Sequence, residues 1–283
     1  CQAMVAVYHG QAPDTAPPAE PRGLEPIEDR QALSAASLTV AGEPEYPTIV
    51  AAHEAGAQAK AEDARPGPTM DAAALGLETL PAEPLSGAAE LFAGRRMQPL
   101  AQTILSRRSQ RRFVPEAPEQ GTTHAFLRLL CERLEGGCDD ADRTLATALV
   151  MGVGGETALY LLNRKAGSLA RVQTTAERYP GGDLRAAVTE ACLGQGWLAR
   201  AAYLVIFLTD VVALESALGP RGYRRANLMA GRLGERAYLA ANTLGMGACG
   251  VGAFFDSELS AVLGLGPGGR GLYIVAAGPC QPL

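Results

Sequence analysis

Residues 221–256, RGYRRANLMAGRLGERAYLAANTLGMGACGVGAFFD, change character near their middle. From Asn227 to Leu244 apolar and small residues recur at helical spacing, which predicts one long helix. Beyond Leu244 the segment GVGAF, residues 250–254, reads as a helix-to-strand turn that needs glycine. Just upstream, Ala201–Leu208 (AAYLVIFL) is an apolar run closed by Thr209 and Asp210. It is far too short to cross a bilayer and reads as a buried strand. Working outward, strands are expected at 146–153, 157–162, 203–209 and 271–277. Further helices are expected within PLAQTILSRRS (99–109) and THAFLRLLCERL (123–134). Helices and strands mixed in this way predict an α+β domain over residues 98–283.

The first third of the chain has a different composition. Residues 12–97 are rich in proline and alanine, with one short helix expected at Tyr46–Gln58, and read as a linker or wrapping arm. Residues 1–11, CQAMVAVYHGQ, echo 271–281, GLYIVAAGPCQ, in being a short apolar strand that ends in glycine and a polar stop. The residues after Cys1 have a strand pattern rather than that of the polar tether of a lipid anchor.

At 283 residues, 47% hydrophobic and 19% charged, the chain can bury a good core. A net charge of −5 and a pI near 5.4 argue against nucleic-acid or anionic-membrane partners, which require a basic face. Six cysteines lie without CxxC or metal-ligand spacing, and His9, His53 and His124 occupy separate segments. Reduced structural thiols, no metal site and a cytoplasmic location are therefore expected. MGVGGET (151–157) fails the dinucleotide fingerprint, because Thr157 stands where Gly or Ala is wanted.

Against this acidic background, SRRSQRRF (106–113) concentrates four arginines. A helix ending in IxxRRSxRxF gathers Arg107, Arg108, Ser109 and Arg111 about one point. Guanidinium forks donate paired hydrogen bonds to two phosphate oxygens, so a phosphate monoester suits the cluster. A solvated basic helix end, complementing the helix dipole, is the plainer alternative.

Together with ACLGQGWLARAAYLVIFLT (191–209) and 221–265, this segment resembles the nitroreductase-like flavoproteins, most closely the SagB-type branch of thiazole- and oxazole-forming peptide dehydrogenases. The resemblance covers about residues 98–278. It implies a nitroreductase-like fold, a central mainly antiparallel sheet flanked by helices, with FMN as cofactor. It makes Arg107, Arg108, Ser109 and Arg111 the phosphate and ribityl contacts, and sets Val251, Gly252 and Ala253 along the isoalloxazine ring near N5. It also implies a homodimer, or a pseudo-dimer with a second such domain, since the family builds each FMN site from two protomers. The substrate would be a small molecule or a peptide. EYPTI (45–49) is similar to the joining segment of tandem-domain members, in which residues 1–11 would be the last strand of the preceding domain.

Three departures qualify the resemblance. Ala217 and Leu218 stand near where the branch carries a Lys-Tyr pair, so azoline oxidation lacks its acid/base groups. CERLEGGCDDADRTLATAL (131–149) has no Ser-Gly-Pro segment, and AAGPCQPL (276–283) carries no late basic residue for the phosphate. The expected activity is hydride transfer through flavin N5, with no catalytic side chain assigned. The alternative is a flavin-free domain acting as a structural or substrate-binding half.

Overall fold

The computed structural model describes residues 46–55, 67–86, 92, 98–132, 141–152, 156–173 and 182–281. The chain divides into two compact units, 1–50 and 51–283. The strand expected at 1–11 lies outside the described residues. Helix α1, Pro47–Ala55, falls within the helix expected there and buries none of its residues.

In the second unit a single antiparallel sheet organises everything else. Its strands are β1 (Glu83–Pro84), β2 (Ala146–Met151), β3 (Ala158–Asn163), β4 (Ser168–Arg171), β5 (Tyr203–Asp210), β6 (Gly247–Val251) and β7 (Gly269–Gly278), in the order β1-β4-β3-β2-β5-β7-β6. Every neighbouring pair is antiparallel. Four of the strands were expected from the apolar runs.

The helices are α2 (Leu100–Ser106), α3 (Gln120–Cys131), α4 (Ala141–Thr144), α5 (Leu184–Ala191), α6 (Val211–Leu218), α7 (Arg221–Thr243) and α8 (Asp256–Leu263). Asp183 and Asp210 start α5 and α6 by accepting backbone N–H groups in the first turn. Helix α7, the long one predicted, turns Ala226, Met229, Ala230, Leu233, Ala237 and Ala241 inward at spacings of three and four.

Strand β5 shows why its sequence is apolar throughout: both of its faces are covered. Tyr203, Val205 and Phe207 pack with α3 and α7 in one cluster. Leu204, Ile206 and Leu208 pack in the other with Leu198, Val188 of α5, and Leu259 and Leu263 of α8. Each such side chain contributes about 1.5–3 kcal/mol by leaving water. Part of the proline-rich stretch joins this core. Met70, Leu75 and Leu77 enter the second cluster and Leu85 the first. Arg128 of α3 holds that segment by donating to the carbonyls of Ser86 (2.7 Å) and Leu85 (2.5 Å).

Beside β6, at the sheet's edge, lies the arginine segment. Ser109 forms a parallel bridge with Ala248, the Gln110 N–H donates to the Ala248 carbonyl (2.8 Å), and Phe113 bridges Cys280. The residues after α2 thus cover an edge that would otherwise present unpaired backbone groups.

Candidate functional site

Helix α2 ends at Ser106, so the arginines follow it rather than ride on it. Helix α7 holds them in place. Asn242 Nδ2 donates to the Thr103 carbonyl (2.8 Å) and to Ser106 Oγ (3.0 Å). Glu235 and Tyr238, three residues apart and so on one face of α7, take the next positions. Arg107 Nε lies 3.3 Å from Glu235 Oε1, and its guanidinium sits 5.2 Å from the centre of the Tyr238 ring. Tyr238 Oη lies 3.0 Å from Ser109 Oγ and accepts the Gly250 N–H at 2.5 Å. One buried phenol thereby joins the arginine segment to β6.

Behind it, the Tyr273 ring occupies the space that a Cβ on Gly234 or Gly250 would need. Burial pushes the Tyr273 hydroxyl above the ordinary phenol range, aided by Tyr238, Cys249 and Glu235 and opposed by Arg107. Those two glycines are packing requirements.

The other predicted residues divide into two groups. Arg108 is exposed and turns back on its own helix end, donating to the carbonyls of Leu105 (3.1 Å) and Arg107 (2.8 Å). Arg111 is exposed, with its guanidinium 5.7 Å from the centre of the Trp197 ring. Trp197 in turn stacks on buried Phe113 at 6.0 Å, and Arg200 Nε donates to the Phe113 carbonyl (3.1 Å). Val251 is the last residue of β6 and is buried, so only Gly252 and Ala253 belong to the exposed loop. A Cβ placed on Gly252 would meet no atom within 4 Å. Four residues of extended chain separate Ala248, beside Ser109, from Gly252, a span of about 13 Å.

The LGQ segment reaches the same loop. The Phe255 N–H donates to the Ala191 carbonyl (2.8 Å), and Gln195 Nε2 donates to the Cys192 carbonyl (3.0 Å). Three stretches far apart in sequence, 107–113, 191–197 and 250–255, therefore meet along one edge. Sequence reasoning did not assign Tyr238 to this site; its only local signal is the i, i+3 spacing from Glu235. Tyr223 is half exposed, and Arg224 donates to the His53 carbonyl (3.0 Å). Two open clefts lie elsewhere. One of about 370 Å³ is lined by Met70, Ala72, Ala146, Leu161 and Ala170, and one of about 500 Å³ by Leu100, Leu129 and Leu239. Arg111 and Gly252 line neither, and both are exposed. No group of three or more metal-ligating side chains occurs among the described residues, and no described helix is long and apolar enough to cross a membrane.

The nitroreductase family model matches residues 104–279, and the chain belongs to that family. A nitroreductase of Methanocaldococcus jannaschii is 33% identical over 73 residues, which is 26% of this chain and 37% of that protein. A nitroreductase structure from Anabaena variabilis superposes with a TM-score of 0.54 and 26% identity, covering 64% of this chain and 38% of the other. One from Ralstonia eutropha gives 0.52 and 16%, covering 77% and 95%. The fold is the nitroreductase fold. The alignments span little more than a third of the archaeal protein and of the Anabaena chain.

Proposed function

We propose that residues 98–283 form an FMN-dependent oxidoreductase domain of SagB-type affinity, working in the cytoplasm as a homodimer or beside a second domain of the same kind. The observation that carries this reading is the β6 edge, with the Ser109 hydroxyl and the Arg111 guanidinium at one end and the uncovered Gly252 backbone about 13 Å along it. A flat ring can lie on backbone only where no side chain intrudes, and an anionic tail needs exposed cationic donors. The residues fit FMN on both counts.

FMN would supply hydride chemistry at N5, with the acceptor unassigned. The chain's own residues bind and orient. Tyr238 accepts from Gly250 and can donate its proton to Ser109, which leaves the serine proton free for an outside oxygen. Arg111, kept over Trp197, supplies a charge, while Arg107 is partly engaged with Glu235. Ala217 and Leu218 of α6 offer no proton-transfer group, so azoline oxidation is not assigned. Residues 12–97 serve as a wrapping arm, fastened to the domain through Met70, Leu75, Leu77 and Leu85.

A second reading has its own support. With Arg107 facing Glu235 and Arg108 capping α2, two of the three arginines assigned to the cofactor already have work inside the chain, as in a flavin-free structural half. A visible spectrum of the purified protein, followed by acid release of any chromophore, separates the two. The oxidoreductase reading expects bound or readily taken up FMN, with affinity reduced roughly 10- to 100-fold in Arg111→Ala, the equivalent of one charge-assisted hydrogen bond. A colourless protein that takes up no FMN sinks it.

A further inference from the structure

Two side chains beside the Gly252 loop are ones that the local backbone does not favour. Helix α5 ends with the Gly194 N–H donating to the carbonyls of Thr189 (3.1 Å) and Glu190 (3.3 Å), a closure that puts the residue after the cap in the left-handed region. Glycine usually fills that position; here it is Leu193, at φ 60°. A leucine is strained in that conformation, and this one recovers little by burial, because it is 50% exposed. Next to it, the residue that starts α8 is Phe255, where a short polar side chain would ordinarily cap the helix. Phe255 makes no capping bond and is 51% exposed. The Phe255 N–H bond to Ala191 fixes the two turns side by side.

Local rules broken twice at one place, without gain in packing, mark a site built for something outside the chain. The geometry points to Leu193 and Phe255 as an apolar lip that determines specificity, gripping an alkyl or aryl substituent of the electron acceptor lying over the Gly252 loop. This rests on the flavin reading above and adds to it the feature by which the acceptor is selected. The lip itself carries no charge. Gly252 has open space above it, so an acceptor's flat part can lie on the loop while its apolar arm reaches the lip. Methylenes leaving water there should each tighten binding about fourfold.

The test is a titration of the FMN-loaded protein with phenol, 4-ethylphenol and 4-butylphenol, read from the perturbed visible spectrum of the bound flavin. The wild type should gain about fourfold in affinity per methylene. Leu193→Gly and Phe255→Ser should flatten that dependence while holding FMN within about twofold of the wild type. The melting temperature of Leu193→Gly should stay level or rise, since glycine relieves the strain. An unchanged dependence in both variants, or none in the wild type, overturns the lip. Conversion of a wild-type dimer to monomer by either variant overturns it too, because the two side chains would then be a contact between protein chains. If the protein takes up no FMN, the flavin reading fails separately. Fluorescence of Trp197, the single tryptophan, excited where phenols do not absorb, then reads the same series, and a chain-length dependence equal in wild type and variants again sinks the lip.

Discussion

Ser109 and Gly252 lie on the same edge of the sheet but are built in opposite ways. Around Ser109 almost every group is fixed from behind, with Tyr238 on the hydroxyl, Glu235 on the neighbouring Arg107, Asn242 on the end of α2, and Phe113 fully buried two residues past Arg111. Around Gly252 a side chain would meet open space, and two large side chains of the adjoining turns, Leu193 and Phe255, are half exposed. On the proposed reading, the difference separates two tasks. An end that holds a fixed anionic group benefits from preorganised donors, whereas an end that admits varied molecules must leave room. Changes at the first end should therefore affect folding and cofactor affinity together, and changes at the second should spare folding.

The largest break in that comparison is Phe113→Ala. The ring is 1% exposed, stacked on Trp197, and its carbonyl takes Arg200. Truncation should cost about 3–5 kcal/mol of stability and release the segment that carries Arg111, lowering the denaturant midpoint and FMN affinity at once. A loss under about 1 kcal/mol would mean that the arginine segment is as loosely held as the Gly252 loop.

Next comes a titration that looks beneath the open end. Cys192 precedes exposed Leu193 yet is itself fully buried, and burial pushes its thiol up from 9.0 to about 11. Burial likewise pushes the Tyr203 phenol up to about 12, against a lowering hydrogen bond from Thr123. In both groups the folded state holds its proton to higher pH than the unfolded chain does. Their contribution is complete below about pH 9 and is lost as pH rises through 11 and toward 12. Denaturation midpoints should fall above pH 9, and Cys192→Ala should make the fall shallower between pH 9 and 11. An unchanged slope would show that Cys192 is as wet as Leu193.

This division was only partly legible in the sequence. The arginine cluster stood out because four guanidinium groups fall within eight residues of an acidic chain, and α7 because residues 227–244 keep a helical period. Strand β6 read as a turn because Gly247 and Gly250 lower strand propensity. Their need is set by Cys280 and Tyr273, which fill the places of the missing Cβ atoms from distant parts of the chain. Strand β1 is only two residues, one a proline, which is tolerated because it lies at the sheet's edge. Met70, Leu75 and Leu77 sit in a proline-rich stretch whose average composition hides three core side chains. Tyr238 escaped notice because its partner Ser109 is 129 positions away, a pairing that only the assembled sheet creates.

Tyr238→Phe tests that pairing by removing one oxygen and nothing else. The Gly250 N–H loses its acceptor and Ser109 its neighbour, so stability should fall by about 1–3 kcal/mol. FMN affinity should fall with it, because Ser109 would no longer be oriented. A variant that binds FMN normally would remove Tyr238 from the site and leave it a strut between α7 and β6.

The smallest expected effect on folding, and the sharpest on the comparison, comes from Arg107→Ala. Its partner Glu235 is 51% exposed and Arg107 itself 35%, so the ion pair is screened and contributes at most about 1 kcal/mol to stability. Arg111, by contrast, meets only the Trp197 face among its described partners, leaving its N–H donors available. If the fixed end of the edge holds the phosphate through Arg111, then Arg107→Ala should lower FMN affinity by less than Arg111→Ala does, and Glu235→Gln should leave it almost unchanged. If instead Arg107 leaves Glu235 when FMN binds, the order reverses, and Glu235→Gln should tighten binding by freeing the guanidinium. Measuring FMN dissociation constants for the three variants at two salt concentrations decides between these, since weakening that diminishes with added salt reports a lost charge, and weakening that persists reports lost shape.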